Sequence, residues 1–257
     1  MSAPEGASAI RQAAAEAIDA QGTDESEWLR ARLPDHLPHL NLPPGPVVVV
    51  AAHPDDEVLG FGGCIAALVD AGATVQTVCL SDGEASHAAS QPYAQATLAR
   101  RRRSELAAAL AELGELPTPL HAALPDTALD EYEDQACTVI GEVLSGARAA
   151  LCVAPWEGDL HSDHEAAGRA AQRAACAASI PVWSYPVWMW HWARPYDFRV
   201  PWHRAAVVPL PEAAAVRKKT AAAQFTSQLE ARGHDIGPVL PKEEIAHHTR
   251  TFETVIR

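Results

Sequence analysis

Val47-Val48-Val49-Val50-Ala51-Ala52 runs without a break into His53-Pro54-Asp55-Asp56-Glu57. A continuous β-branched run has no polar face, so it predicts a strand buried on both sides of a parallel sheet. The five residues after it are its chemical opposite. Pro54 fixes a turn just past the strand, and four ionisable side chains in five residues cannot all hide in a core. The junction therefore reads as the carboxyl end of a buried strand carrying a polar loop.

The segments on either side extend this into an α/β pattern. Residues 60–70 read as a helix, ATVQTVCLS (73–81) as a second strand, and 94–113 as a long helix ending near Gly114. A short strand is expected at 119–124, a helix over 129–145, a buried strand in AALCVAPW (149–156), and a helix over 163–178. PVWSYPVW (181–188) reads as a strand with a proline break, AAVVPL (205–210) as a late strand, and 212–230 as a late helix. Alternating strands and helices imply a Rossmann-like α/β fold, a mostly parallel sheet flanked by helices. Upstream, residues 3–33 are alanine-rich with helical patterning, and Pro34, Pro38, Pro43, Pro44 and Pro46 then interrupt the chain. The expected organisation is a helical N-terminal extension and Pro-rich linker (1–46) before one main domain (47–257). Gly60, Gly62 and Gly63 do not make a dinucleotide loop, because Ile65 stands where GxGxxG needs its last glycine. They are expected to let the helix pack close to the strand.

The bulk properties narrow the function classes. A formal net charge of −13 over 257 residues repels phosphate backbones and anionic lipid, so nucleic acid and membrane surfaces are not expected as partners. Arg100 to Arg103 form the one local basic run, expected as a solvated helix face with ion pairs to Glu105. Cys64, Cys79, Cys137, Cys152 and Cys176 are odd in number, with no CxxC pair. They read as reduced thiols rather than a metal or redox site. The N-terminus has no basic-then-apolar signal pattern, and no apolar run approaches the roughly 18 residues of a membrane helix. The expected location is the cytoplasm, and a homo-oligomer is compatible with the sequence.

In a doubly wound sheet, ligands bind beyond the carboxyl ends of the strands. Two segments fall there: His53 to Glu57, and Gly158-Asp159-Leu160-His161-Ser162-Asp163-His164 after the 149–156 strand. Two histidines and one carboxylate with open positions suit a catalytic Zn2+, and also Fe2+. A metal of this kind lowers the pKa of coordinated water to about 7, and a second carboxylate is then needed to take the proton. Asp55 and Asp56 could divide these tasks in either order. The histidine not used as a ligand could supply a donor to the oxyanion, with Asp163 holding that imidazole and raising its pKa.

AHPDDEVLGFGG (52–63) and GDLHSDH (158–164) resemble the two signatures of the LmbE-like, or PIG-L, zinc deacetylases. HPDDE matches without a gap; HPDH appears as HSDH, with Ser162 for proline. Arg102-Arg103-Ser104-Glu105, LPDTAL (124–129), and Lys218 to Gln228 are weaker matches, the last with Phe225 where a histidine is frequent. The resemblance covers residues 47–230 and leaves out the N-terminal extension and the Trp-rich segment. It implies an N-acetylglucosaminyl deacetylase: His53, Asp56 and His164 as zinc ligands, Asp55 as general base, and His161 as oxyanion donor and general acid. It also implies that Arg102 and Asp126 contact an amino sugar or glycoconjugate. Two other readings of the same residues are a non-haem iron oxygenase, which gives Asp55 no role, and a non-catalytic α/β binding module.

Trp183, Trp188, Trp190, Trp192 and Trp202 crowd one stretch. In a strand, Trp188, Trp190 and Trp192 would share a face and could wall the cleft, with Trp188 and Trp190 as substrate contacts, or pack the core. His36, His39, His234, His247 and His248 are expected at the surface.

Overall fold

The computed structural model describes residues 14, 16–18, 20–87, 92–232 and 236–257. Residues 14 and 16–18 are helical; residues 1–13, 15 and 19 of the expected N-terminal helix, and His234, lie outside the described residues. The elements run in the order α1 (Glu25–Ala31), β1 (Val47–Ala51), α2 (Asp56–Asp70), β2 (Val75–Ser81), α3 (Pro92–Leu113), β3 (Leu120–Leu124), α4 (Glu133–Ala147), β4 (Leu151–Pro155) and α5 (Ser162–Ala177). The chain closes with β5 (Val182–Tyr185), α6 (Met189–Trp192), β6 (Ala205–Pro209), α7 (Glu212–Ala222), α8 (Thr226–Leu229), α9 (Lys242–His247) and β7 (Phe252–Ile256).

Seven strands form one sheet in the order β3-β2-β1-β4-β5-β7-β6. β1 to β5 are parallel, and β7 runs antiparallel between β5 and β6. β1 sits in the middle, and every residue from Val47 to Ala52 is fully buried. Its side chains alternate between two cores. Val47, Val49 and Ala51 pack with α2, α3 and α7, while Val48, Val50 and Ala52 pack with α4 and α5. This is the double-sided burial that the β-branched run requires.

Strand order reverses between β1 and β4, so their following loops emerge side by side at one end of the sheet. Two close contacts bring the helices tight against that end. A Cβ on Gly60 of α2 would lie 2.0 Å from the Tyr185 ring of β5. One on Gly168 of α5 would lie 2.6 Å from the Pro155 carbonyl at the end of β4. α5 buries Ala166, Ala167, Ala170, Ala171 and Ala174 at helical spacing; small side chains let its axis approach the sheet.

Three expectations need correction. The strand over 181–188 stops at Tyr185, and residues 189–192 are a short helix, so Trp188, Trp190 and Trp192 do not share a strand face. Pro186 ends the pairing because proline offers no N–H to a ladder. The late helix is broken at residues 223–225 into α7 and α8. His247 and His248 are buried, not surface, because the C-terminal tail folds back as α9 and β7. The sequence pattern does not announce that antiparallel strand: FETVI is a short, half-polar run next to the terminus. No described helix is long and apolar enough to cross a membrane.

The N-terminal segment packs on the main sheet. Trp28 and Leu33 are buried in a third apolar cluster with Trp156, Met189, Trp190 and Val200. Trp28 donates its indole N–H to the Trp190 carbonyl at 2.9 Å, and backbone bonds link Leu40 to Val207 and Val207 to Pro38.

Candidate metal centre

The loop after β1 turns at once into α2. The Asp56 carboxylate accepts from the backbone N–H groups of His53 (2.8 Å) and Ala52 (3.1 Å), which closes the turn and fixes Asp56 below the His53 ring. His164 enters from the first turn of α5. Its Nε2 lies 3.1 Å from Asp56 Oδ1, and His53 Nδ1 lies 3.5 Å from Asp56 Oδ2. The outward nitrogens of both rings are held by carboxylates. His53 Nε2 faces Asp163 and Asp126, each at 3.1 Å, and His164 Nδ1 faces Asp159 at 2.7 Å.

This is the carboxylate–histidine arrangement that orients imidazoles toward a metal. The donor atoms fit one. His164 Nε2 is buried and has no hydrogen-bond partner despite its closeness to Asp56, a pairing natural for two ligands of a common cation. Ring nitrogens of His53, His161 and His164 also lie within 4.8 Å of one another. Asp126 and Asp163 form a second donor group with His53, and Asp56, close to both His53 and His164, offers a third donor beside His161. The Asp56 carboxylate approaches both rings and carries the negative charge a divalent cation prefers.

Asp55 lies beside this cluster under a buried guanidinium. Arg102 donates to Asp55 Oδ2 (2.9 Å), the Gly83 carbonyl (2.9 Å) and the Pro54 carbonyl (3.3 Å). Gly83 sits at φ 62°, and a Cβ there would lie 1.9 Å from Arg102 Nη1, so only glycine leaves room for the guanidinium. Arg102 is thus reached by the cleft but is already engaged in holding Asp55. Arg103 pairs with Asp82 and Arg101 with Glu105 and Glu230, so the basic run divides its side chains among different partners.

The electrostatics come from burial and these contacts. Burial pushes the Asp55 carboxyl up to about 6, against the pull of Arg102. Burial also opposes charge on Asp56, but His164 and His53 outweigh it and hold Asp56 well below the usual carboxylate range. The His164 imidazole is raised to about 9: burial lowers it, and Asp56 and Asp159 overcome that. For His53 the opposing carboxylates of Asp126, Asp163 and Asp56 win over burial and raise it well above its ordinary value. Glu57 is driven well upward by burial; its Oε2 accepts from the Asp55 N–H.

Asp163 does not hold His161. It accepts from His53 and from the backbone N–H groups of Thr127 (2.8 Å) and Leu129 (3.1 Å). Burial, with His164 and His53 nearby, lowers His161 to about 3, and its Nδ1 has no partner. The His161 imidazole is thus lowered, where a raised one was expected from Asp163.

A cleft of about 440 Å³ opens over these groups. His53, Asp55, Asp56, His161, His164, Arg102 and Asp126 reach it, as does the half-buried Trp188. Trp190 does not. It is 4% exposed and packs edge-on against Trp28 at 5.0 Å, so its expected contact with substrate is withdrawn. A shallower groove of similar size, lined by Pro43, Pro44 and Ala71, lies elsewhere, away from all ionisable candidates.

Sequence reasoning passed over Asp159. It is fully buried and accepts from His164 and from the N–H groups of Val187, Trp188 and Met189. The signal was an aspartate five residues before a candidate ligand. Leu160, between them, takes φ 62°, a strained conformation of the kind that accumulates at functional sites. Gln228 was passed over too. Glu105 accepts from Ser227 N–H and Oγ, and so seats α8 with Gln228 at the cleft.

A curated relative, the 1D-myo-inositol 2-acetamido-2-deoxy-alpha-D-glucopyranoside deacetylase 2 of Saccharopolyspora erythraea, is 38% identical over 74 residues, 27% of each chain. The match thus spans about a quarter of that relative's length. The N,N'-diacetylchitobiose deacetylase of Pyrococcus horikoshii superposes with a TM-score of 0.56 at 21% identity, over 72% of this chain and 70% of that one. The 4-carboxy-2-hydroxymuconate hydratase GalB of Pseudomonas putida KT2440 superposes equally well, with a TM-score of 0.57 at 20% identity over 80% and 84%. At such identities these show the shared fold, and the fold hosts more than one reaction. Residues 48–175, which carry both metal-loop segments, match the family described as PIG-L, GlcNAc-PI de-N-acetylase; the chain belongs to the PIG-L family.

Proposed function

We propose that the protein is a metal-dependent hydrolase that removes an acetyl or other acyl group from the nitrogen of an amino sugar or glycoconjugate. The observation that carries this is the pair of inward-facing imidazoles, His53 and His164, each held from behind by a carboxylate and sharing Asp56 between them. His53, Asp56 and His164 would hold the ion, with Zn2+ as the first choice and Fe2+ as the second. When bound, the ion supplies Lewis-acid polarisation of the acyl carbonyl and makes water more acidic.

The chain's own residues do the rest. Asp55, fixed by Arg102, accepts the proton that the attacking water gives up as its oxygen bonds to the amide carbon. His161, at the mouth of the ring cluster, offers an N–H to the oxygen of the tetrahedral intermediate. The C–N bond then breaks, and the proton taken up by Asp55 must reach the departing nitrogen. The products are a carboxylic acid and a free amine. Asp126 and Gln228 reach the cleft as polar contacts for sugar hydroxyls. A 2-His-1-carboxylate oxygenase would leave the Asp55–Arg102 pair without a task, which is why hydrolysis is preferred.

The test is metal analysis combined with a panel of N-acetylglucosaminides, following free amine. Amine release that is abolished by chelation and restored by Zn2+ supports the reading. Stoichiometric metal without amine release from any member would sink it.

A further inference from the structure

The cleft has two chemically different sides. The reacting groups, Asp126, Arg102 and Gln228 are polar. Beside Ser86, Thr127, Arg232 and Glu244, the other side carries an apolar patch: Leu59, Val187 and Leu240 belong to one buried cluster, with the half-buried Trp188 and Val239 packed on it. Ile18 and Ala20 complete this side, so the N-terminal segment forms part of the wall.

That segment is clamped in place. The Ala20 carbonyl lies 2.9 Å from His191 Nε2, and the other ring nitrogen of His191 faces Glu244 of α9 at 2.9 Å. Thr23 donates its N–H to the His191 carbonyl (2.8 Å) and its hydroxyl to the Ala193 carbonyl (2.6 Å). Gly22 lies flat on the His191 ring, where a Cβ would approach to 2.4 Å. The His191 ring in turn meets Trp188 edge-on at 5.9 Å. Ile18, Trp188, Val239 and Leu240 all lie outside the 48–175 stretch that matches the family model.

An N-acyl amino sugar is itself two-sided. Hydroxyls lie on one side of the scissile amide, and the acyl chain on the other. Resting on the function proposed above, we infer that the wall formed by Ile18, Trp188, Val239 and Leu240, with His191 as its clamp, is a subsite for the acyl chain, and that it favours chains longer than acetyl. Each methylene buried there is worth about fourfold in binding. The gain falls in KM, because the chain makes the same contact before and during reaction.

The experiment uses the full-length, Zn2+-loaded protein and a series of N-acetyl, N-propanoyl, N-butanoyl and N-hexanoyl glucosamines, measuring kcat/KM by amine release. A rise of about fifteenfold from acetyl to butanoyl, carried by KM, is expected. Ile18→Ser and His191→Ala should both flatten that ratio, whereas a general structural defect lowers all members equally. Ile18 is half-buried, so its variant is the safer one to fold. A flat or falling series in the unmodified protein overturns the inference, as does a rise that both variants retain. A parallel series of N-acetylglucosamine methyl, butyl and octyl glycosides covers the other occupant; a gain confined to that series assigns the wall to the aglycone and also overturns it. Amine release from no N-acyl glucosamine would instead remove the underlying function.

Discussion

The metal loops and the cleft wall are built in opposite ways. The loops are sequence-local: His53 to Glu57 follow β1, Asp159 to His164 follow β4, and two adjacent parallel strands deliver them to one place. The wall is assembled from three distant stretches, around residues 18–25, 186–193 and 239–244, joined through His191. The first region holds charged groups in buried, over-determined contacts; the second holds apolar groups by a few hydrogen bonds. On the function proposed above, the difference sets a deep, charged part that would carry the chemistry against an apolar part that would sort substrates, the two joined through Asp159.

The largest effects should come from the loops. Asp55→Asn should lower turnover by about 10²- to 10⁴-fold while metal content stays near that of the unmodified protein; metal loss in this variant would show that Asp55, not Asp56, is the ligand. His161→Ala should lower kcat by about 10²- to 10³-fold, again with metal retained. His161 shares a donor group with His53 and His164, and Asp56 lies close to the same two rings, so metal titration of His161→Ala beside Asp56→Ala decides between them, and loss in the first with retention in the second would reverse the proposed assignment.

A smaller effect is expected where the two regions meet. Asp159 grips His164 and, through three backbone N–H groups, the segment carrying Trp188. Asp159→Asn keeps the size but weakens the hold on the imidazole, so metal affinity should fall about 10- to 100-fold. Competition with a chromophoric chelator measures this without reference to turnover. Unchanged affinity would reduce Asp159 to a loop anchor.

The smallest effect belongs to the wall and is one of stability. Glu244 is buried between His191 and His248, with His247 nearby. Burial raises its carboxyl, but these histidines outweigh burial and hold it down at about 2. A carboxyl lower in the folded than in the unfolded state stabilises the fold above its ordinary value of 4.5 and loses that contribution as pH falls toward 2. His191, raised mainly by Glu244, contributes in the opposite sense, below its ordinary value and not above its raised one. Unfolding midpoints of Glu244→Gln and the unmodified protein should therefore differ near pH 6 and converge as pH drops from 5 to 3. Parallel curves across that range would remove Glu244 from the acid response.

The contrast also separates what was legible in the sequence from what was not. The double-sided strand 47–52, the alternation of elements, and both metal-loop segments are written in short stretches whose chemistry is local. Where partners come from afar, local pattern misleads. Trp188 and Trp190 look equivalent two residues apart, yet the short helix after Pro186 sends one to the cleft and the other against Trp28. Asp163 stands two residues from His161 but reaches His53 instead, because α5 turns its side chain toward the loop after β1. His247 and His248 look like tail residues until β7 inserts between β5 and β6 and buries them.

By itself, then, the sequence determined a parallel α/β sheet and the residue types at its carboxyl edge, because strand burial and ligand chemistry depend on neighbours in the chain. Only the tertiary structure decided which carboxylate faces which imidazole, which tryptophan meets the cleft, and that the N-terminal segment closes it. Those outcomes depend on hydrogen bonds and packing between residues up to 225 positions apart, such as Glu25 with Arg250, and no local pattern encodes them.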